Sequence, residues 1–121
     1  MKRGYERSTR VSDLIRKALA NILLQEMHDP QFRFVTITGV DVSRDLSYAK
    51  VYVSTLQDEK SEIKQLMVDL NNSTKSIRYH LAKAVKLRIV PELKFVYDET
   101  AANGFRISQL IDSAVKNIKD E

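Results

Sequence analysis

The stretch Tyr48-Ala-Lys-Val-Tyr-Val-Ser-Thr-Leu56 alternates with period two, placing Ala49, Val51 and Val53 on one side and Tyr48, Lys50, Tyr52 and Ser54 on the other. β-Branched and aromatic residues at that spacing predict a strand with one apolar and one mixed face. Just upstream, Phe34-Val-Thr-Ile-Thr-Gly-Val-Asp-Val42 has the same character, and Ser43-Arg-Asp-Leu-Ser47 joins the two as an expected antiparallel hairpin. Gly39, inside the first strand, marks either a bulge or a close approach of another backbone.

Outside this hairpin the period changes. Val11, Leu14, Ile15, Ala18, Leu19, Ile22, Leu23 and Met27 recur at helical spacing, so residues 8–27 are expected as an amphipathic helix. Ser8 or Thr9 is placed to cap its start, and Asp29-Pro30 ends it, because the residue before proline is pushed out of the helical region. After the hairpin, Ile63, Leu66, Met67 and Leu70 restore the helical period, and Ile77, Leu81, Ala84 and Val85 continue it. The intervening Asn71-Asn-Ser-Thr74 prefers caps and turns, which predicts two successive helices or one kinked helix, with Ser73 or Asn72 capping the second half. Pro91 introduces Leu93-Lys-Phe-Val-Tyr97 as a third strand, and Ile107, Leu110, Ile111, Ala114 and Ile118 suggest a last helix. The order helix, strand, strand, helix, helix, strand, helix describes an α+β layer domain, and residues 1–121 show no repeat or linker that would divide it.

With 43% hydrophobic and 30% charged residues in 121, the chain suits one globular domain and neither a disordered nor a fibrous class. It has no cysteine, which excludes disulfides, thiolate nucleophiles and Cys-ligated metals. No run approaches the ~20 apolar residues of a membrane span, and the basic start lacks the apolar core of a secretion signal. A cytoplasmic location, no membrane and a monomer are the expectations. The net charge is +4 with a pI of about 9.4, and the charge is unevenly placed. Lys2, Arg3, Arg7, Arg10, Arg16 and Lys17 face only Glu6 and Asp13 in residues 1–20, while Lys75, Arg78, Lys83, Lys86, Arg88 and Lys94 face only Glu92 in residues 73–94.

On a helix spanning residues 75–86, Ile77, Leu81, Ala84 and Val85 fall on one side and Lys75, Arg78, Lys83 and Lys86 broadly on the other. Arg88 follows directly, and Tyr79 lies among the cations, so the face offers phosphate contacts and one stacking ring. The plain alternative is a solvated helix face rich in lysine. Arg10 and Lys17, seven residues apart, share a side of the first helix, with Arg7 just before its expected start. These amino-terminal cations are secondary candidates, since chain starts are commonly charged for solubility alone. His28 and His80 are the only histidines and form no ligand-spaced motif, so no metal site or cofactor is expected. Asp41, Asp45, Asp98 and Glu99 lie near strand ends, where turn-forming carboxylates are common, and no nucleophile or Gly-rich phosphate loop accompanies them. The residues thus argue against catalysis and against a small-molecule substrate.

A resemblance sharpens this reading. The run Lys86-Leu-Arg-Ile-Val-Pro-Glu-Leu-Lys-Phe-Val-Tyr-Asp98 resembles the most recognisable stretch of the ribosome-binding factor A family, and Asp29-Pro30, Val35-Thr36, Asp45-Leu-Ser-Tyr-Ala-Lys-Val-Tyr-Val53 and Gly104-Phe-Arg-Ile107 fit that family in the same order. The resemblance implies a type II K-homology domain without the G-x-x-G loop by which ordinary K-homology domains clamp nucleotide backbone, and no such loop occurs here. The family's Ala-x-Gly kink aligns with Ser73-Thr74-Lys75, so a lysine stands where glycine is usual. It further implies a non-enzymatic assembly factor that binds the free small (30S) ribosomal subunit near its 16S ribosomal RNA, assists late maturation and processing of that RNA, and leaves before translation. Lys75, Arg78, Lys83, Lys86 and Arg88 are then the expected RNA contacts, with Arg7 and Arg10 behind them. Three other readings compete: a non-catalytic protein-interaction module using the sheet face with Tyr48 and Tyr52, a DNA-binding first helix, and a metal-dependent nuclease that would need the strand-end carboxylates to converge.

Overall fold

The computed structural model describes residues 2–56 and 59–100, with residues 2–8 as backbone. The element order is α1 (Lys2–Gln25), a 3-10 turn (Pro30–Phe34), β1 (Val35–Val42), β2 (Tyr48–Thr55), α2 (Lys60–Asn72), α3 (Thr74–Ala84) and β3 (Glu92–Tyr97). The helix expected from Ile107 to Ile118, and the Gly104-Phe-Arg-Ile107 block, lie outside the described residues.

β2 is the centre of a three-stranded sheet, with β1 antiparallel on one side and β3 parallel on the other. Its apolar side is the one expected: Ala49, Val51 and Val53 are buried, joined by Ile37 and Val42 from β1 and Leu93 and Phe95 from β3. The helices cover that face. Val11, Ile15, Leu19, Ile22 and Leu23 of α1, Leu66 and Leu70 of α2, and Ile77 and Leu81 of α3 form one core with it. Between Ile37 and Gly39 the register with β2 slips, so the bulge reading of Gly39 holds. A close approach does not: a methyl group at Gly39 would meet only Tyr52 Cδ2, at 3.9 Å.

Several local expectations change. α1 begins at Lys2, so neither Ser8 nor Thr9 caps it; Glu6, Arg7 and Arg10 are all helix-compatible and nothing in that segment stops the helix. Asp29 instead caps the 3-10 turn, where its carboxylate accepts the Gln31 amide at 3.1 Å and Pro30 takes the first position. The Gln31 side chain then donates to Asp69 Oδ2 at 2.7 Å, tying the turn to α2. α2 and α3 are separate helices that meet at Ser73, whose backbone sits at φ −98°, ψ 4°. Ser73 occupies the N-cap position but its side chain makes no capping bond, and Asn72 remains in α2; Thr74 Oγ1 donates back to the Asn71 carbonyl at 3.1 Å. No left-handed residue is needed at this bend, so Lys75 stands in the glycine position without backbone strain. Leu46, in the hairpin loop, is the one described non-glycine residue with positive φ, at 62°, and its side chain packs against the core.

Asn71 has a role that its turn preference hides. Its side-chain oxygen accepts the Phe95 amide at 2.9 Å, and its nitrogen donates to the Phe95 carbonyl at 3.1 Å and to the Met67 carbonyl at 3.0 Å. The amide side chain thereby pairs with the outer edge of β3 as another strand would, satisfying groups that would otherwise be left without a partner. In the hairpin loop, the Ser43 hydroxyl, the Ser47 hydroxyl and the Ser47 amide donate to Asp45, at 2.7, 2.7 and 3.2 Å. These bonds hold its carboxyl below the usual 3.8.

Two outcomes follow. Asn71→Leu should destabilise the chain by about 1–3 kcal/mol in urea unfolding, because it strands a donor and an acceptor on β3. The Asp45 contribution, from a group with depressed folded-state pKa, is complete above pH 3.8 and is lost as pH falls through the lower folded value. Urea midpoints measured from pH 6 down to about 3 should therefore decline less steeply for Asp45→Asn than for the parent.

Candidate RNA interface

α3 is anchored by Ile77 and Leu81, which are fully buried, so Lys75, Tyr79 and Lys83 fall on its outer side by helical periodicity. Lys75, Tyr79 and Lys83 are spaced four apart and stand one above another on one ridge. All three are exposed, Tyr79 to 57%. Lys83 Nζ lies 4.3 Å from the centroid of the Tyr79 ring, a cation–π contact worth about 0.5–1 kcal/mol at an exposed site. The His80 ring meets Tyr79 edge-on, with centroids 5.5 Å apart and planes at 75°. On its other side, His80 Nδ1 is 3.9 Å from Glu26 Oε2, just past the end of α1.

The helix ends earlier than its period suggests. Val85 already has extended backbone, and the Leu87 amide bonds to the Val85 carbonyl at 2.9 Å across a tight turn centred on Lys86. Lys86 and Arg88 therefore project from the loop after α3 and not from the helix face, while Leu87 and Val90 turn inward against the core. Both cations are exposed.

Arg78 departs furthest from expectation. It is half-buried, and its Nε and Nη2 donate to the carbonyls of Pro91 and Val90 at 3.0 and 2.9 Å. It fastens the loop carrying Lys86 and Arg88 to α3, immediately before β3, so its first task is structural and the assumption that it lies on a freely exposed face fails. Lys75, Lys83, Lys86 and Arg88 make no ion pair among the described residues, and residues 73–91 contain no Asp or Glu. The segment thus presents four exposed cations, Lys75 and Lys83 on the helix ridge on either side of the exposed Tyr79 ring and Lys86 and Arg88 on the loop that follows.

The remaining candidates do not join this patch. Arg10 is exposed on α1, about 24 Å along the helix from Glu26 at 1.5 Å per residue. Arg7 falls within α1, where only backbone is described. A groove of about 550 Å³ between α1 and β1 is lined by Asp13, Arg16, Asp41 and Arg44 among others, a balanced charge set that favours no polyanion. Asp45 sits at the hairpin end of the sheet, whereas Asp98, which accepts the Thr38 hydroxyl at 2.6 Å, sits at the other, a β3 length of roughly 20 Å away. Asp41 and Lys50 are register partners on β1 and β2. The strand-end carboxylates are thus divided between the two ends of the sheet, Asp41 and Asp45 toward the hairpin and Asp98 and Glu99 at the opposite end. His28 is exposed after α1, apart from His80, and among the described residues no three His, Cys, Asp or Glu converge to hold a metal. No described helix is long and apolar enough to cross a membrane.

Replacing Arg78 by Ala should cost about 1–3 kcal/mol in urea unfolding, the range for hydrogen bonds from a charged donor to half-buried carbonyls. Lys75→Ala and Lys86→Ala should each change stability by no more than about 0.5 kcal/mol.

Comparison with known proteins agrees with this architecture. The family model described as ribosome-binding factor A matches residues 7–111. Ribosome-binding factor A of Nitrosospira multiformis is 39% identical over 121 residues, covering 100% of this chain and 95% of that protein. The crystal structure of ribosome-binding factor A from Thermus thermophilus superposes with a TM-score of 0.64 at 26% identity, covering 74% of this chain and 94% of that one. A homology model of the Thermus thermophilus factor, fitted into the cryo-electron-microscopy map of its complex with 30S, gives a TM-score of 0.57 at 28% identity, over 69% of this chain and 86% of that one. The identity spans the whole chain and the solved relatives share its fold: the chain belongs to the ribosome-binding factor A family.

Proposed function

We propose that this protein is a cytoplasmic, non-enzymatic assembly factor that binds the free small ribosomal subunit through its 16S ribosomal RNA and assists late maturation and processing of that RNA. The observation that carries the proposal is the cluster of Lys75, Lys83, Lys86 and Arg88, exposed and without ion-pair partners among the described residues, on a segment free of carboxylates. Such a surface gains affinity for RNA by releasing condensed counterions from the phosphates it neutralises. Family membership supplies the partner class, since a Thermus thermophilus relative was fitted into a complex with 30S.

In this reading the chain is a single K-homology-like domain of type II, acting as a monomer. The two helices that would flank a G-x-x-G loop meet instead at Ser73, and Lys75 adds a charge where an ordinary K-homology domain offers backbone. No cofactor or chemical step is required. A protein that binds one conformation of an RNA more tightly than another shifts the population toward it by its differential affinity. Arg78 contributes by holding the loop of Lys86 and Arg88 in place. The sheet face with Tyr48 and Tyr52, the basis of the protein-docking alternative, carries Asp41 opposite Lys50 and Glu92 opposite Tyr48 and so lacks a single-sign field.

The test is co-sedimentation with purified small subunits, large subunits and joined ribosomes at two salt concentrations. The parent chain should travel with free small subunits alone. Replacing Lys75, Lys83, Lys86 and Arg88 together by Ala should weaken that binding at least tenfold and flatten the slope of log affinity against log salt by about three units, at roughly 0.7–0.9 per lost phosphate contact. Unchanged binding by this folded variant would move the RNA surface elsewhere.

A further inference from the structure

The cation patch alone would hold any RNA backbone, yet its ridge is built around a ring. Tyr79 is 57% exposed and stands between Lys75 and Lys83, each about 6 Å away along the helix axis. One face of the ring is accessible to a ligand, because the Lys83 ammonium already occupies it at 4.3 Å. The His80 ring meets Tyr79 with planes at 75° and centroids 5.5 Å apart, a contact that limits how far the Tyr79 ring can swing.

We propose that this ridge is a site for an unpaired nucleotide: a base stacks on the Tyr79 face that Lys83 covers in the free protein, and the flanking phosphates are met by Lys75 and the displaced Lys83. This rests on the RNA-binding reading above and adds which RNA is bound, a single-stranded segment and not an A-form duplex. In a duplex the base faces are stacked inside and a convex helix surface can touch only phosphates and sugars, whereas a splayed base presents a π-face that any tyrosine can meet. The exchange is favourable by magnitude. A cation over an exposed ring is held by a factor of about two to five, whereas stacking a base on an aromatic side chain strengthens binding roughly five- to a hundredfold. The ammonium set free remains on the same ridge, one helical turn from the ring, where a phosphate of the stacked nucleotide can receive it. Lys83 thus serves as a cover on the ring before binding and as a phosphate contact after it.

Fluorescence anisotropy of the full chain with a labelled single-stranded RNA oligonucleotide, and with a duplex of the same length, tests the proposal beside the small-subunit co-sedimentation. The single strand should bind more tightly than the duplex. Tyr79→Leu should lose roughly five- to a hundredfold in affinity for the single strand, with an unchanged salt slope because no phosphate contact is removed, while Tyr79→Phe retains most of it. A ring that merely covers the helix surface would leave both variants equal to the parent. Duplex binding as tight as single-strand binding, absence of oligonucleotide binding by the parent, or Tyr79→Leu matching the parent on oligonucleotide and subunit alike overturns the proposal. If Tyr79→Leu matches the parent while the quadruple cation variant loses the subunit, base stacking fails and the RNA-binding reading stands; if the quadruple variant keeps the subunit, that reading fails as well.

Discussion

A strand that runs parallel to its neighbour cannot be reached through a tight turn, and β3 runs parallel to β2. The chain must leave one end of the sheet and re-enter at the other, and here two helices make that crossing. The rest of the molecule depends on this pairing. Leu93 and Phe95 enter the core only because β3 lies beside Ala49 and Val51, and α2 and α3 lie where they do because they must bury Leu66, Leu70, Ile77 and Leu81 on the way across. The basic ridge is the outer surface of this obligatory crossover. A hairpin, with its two-residue or five-residue turn, would have offered no such surface.

The crossover is held by two polar side chains that reach β3 or its approach. Asn71, from the end of α2, pairs with both backbone groups of Phe95 on the exposed edge. Arg78, from α3, grips the carbonyls of Val90 and Pro91 just before the strand begins. Together they solve the two problems of a short parallel edge strand, an unpaired edge and an unanchored entry. The same bonds divide the cations of the segment into kinds. Arg78 holds two carbonyls at once with its planar fork, a geometry that lysine lacks, and is turned inward. Lys75, Lys83, Lys86 and Arg88 are left to solvent.

Burial and patterning explain why so much of the fold was legible. The alternation of Ala49, Val51 and Val53, the helical spacing of Ile15, Leu19, Ile22 and Leu23, and the break at Asn71-Asn-Ser-Thr74 are local signals, and each appears in the structure where the period places it. The Gly39 bulge was likewise visible as a residue that costs a strand some stability unless the register needs it. Boundaries were less so. α1 extends to Lys2 and α3 stops at Ala84, because a helix end depends on where the chain must go next and not on its own period. Leu46 adopts φ 62° in a loop with no glycine or asparagine, a conformation that its own propensity disfavours and that its packing against the core offsets.

By itself, the sequence determined the class of the protein: an α+β chain without cysteine, with cations gathered on residues 73–94. These follow from composition, period and spacing, which are properties of neighbours along the chain. Only the tertiary structure decided which of those cations are available. Lys75 and Arg78 are both basic and three residues apart, yet one is exposed and the other bonds carbonyls more than ten residues downstream. That difference arises because a hydrogen-bond partner distant in sequence becomes a neighbour only when β3 has taken its place beside β2.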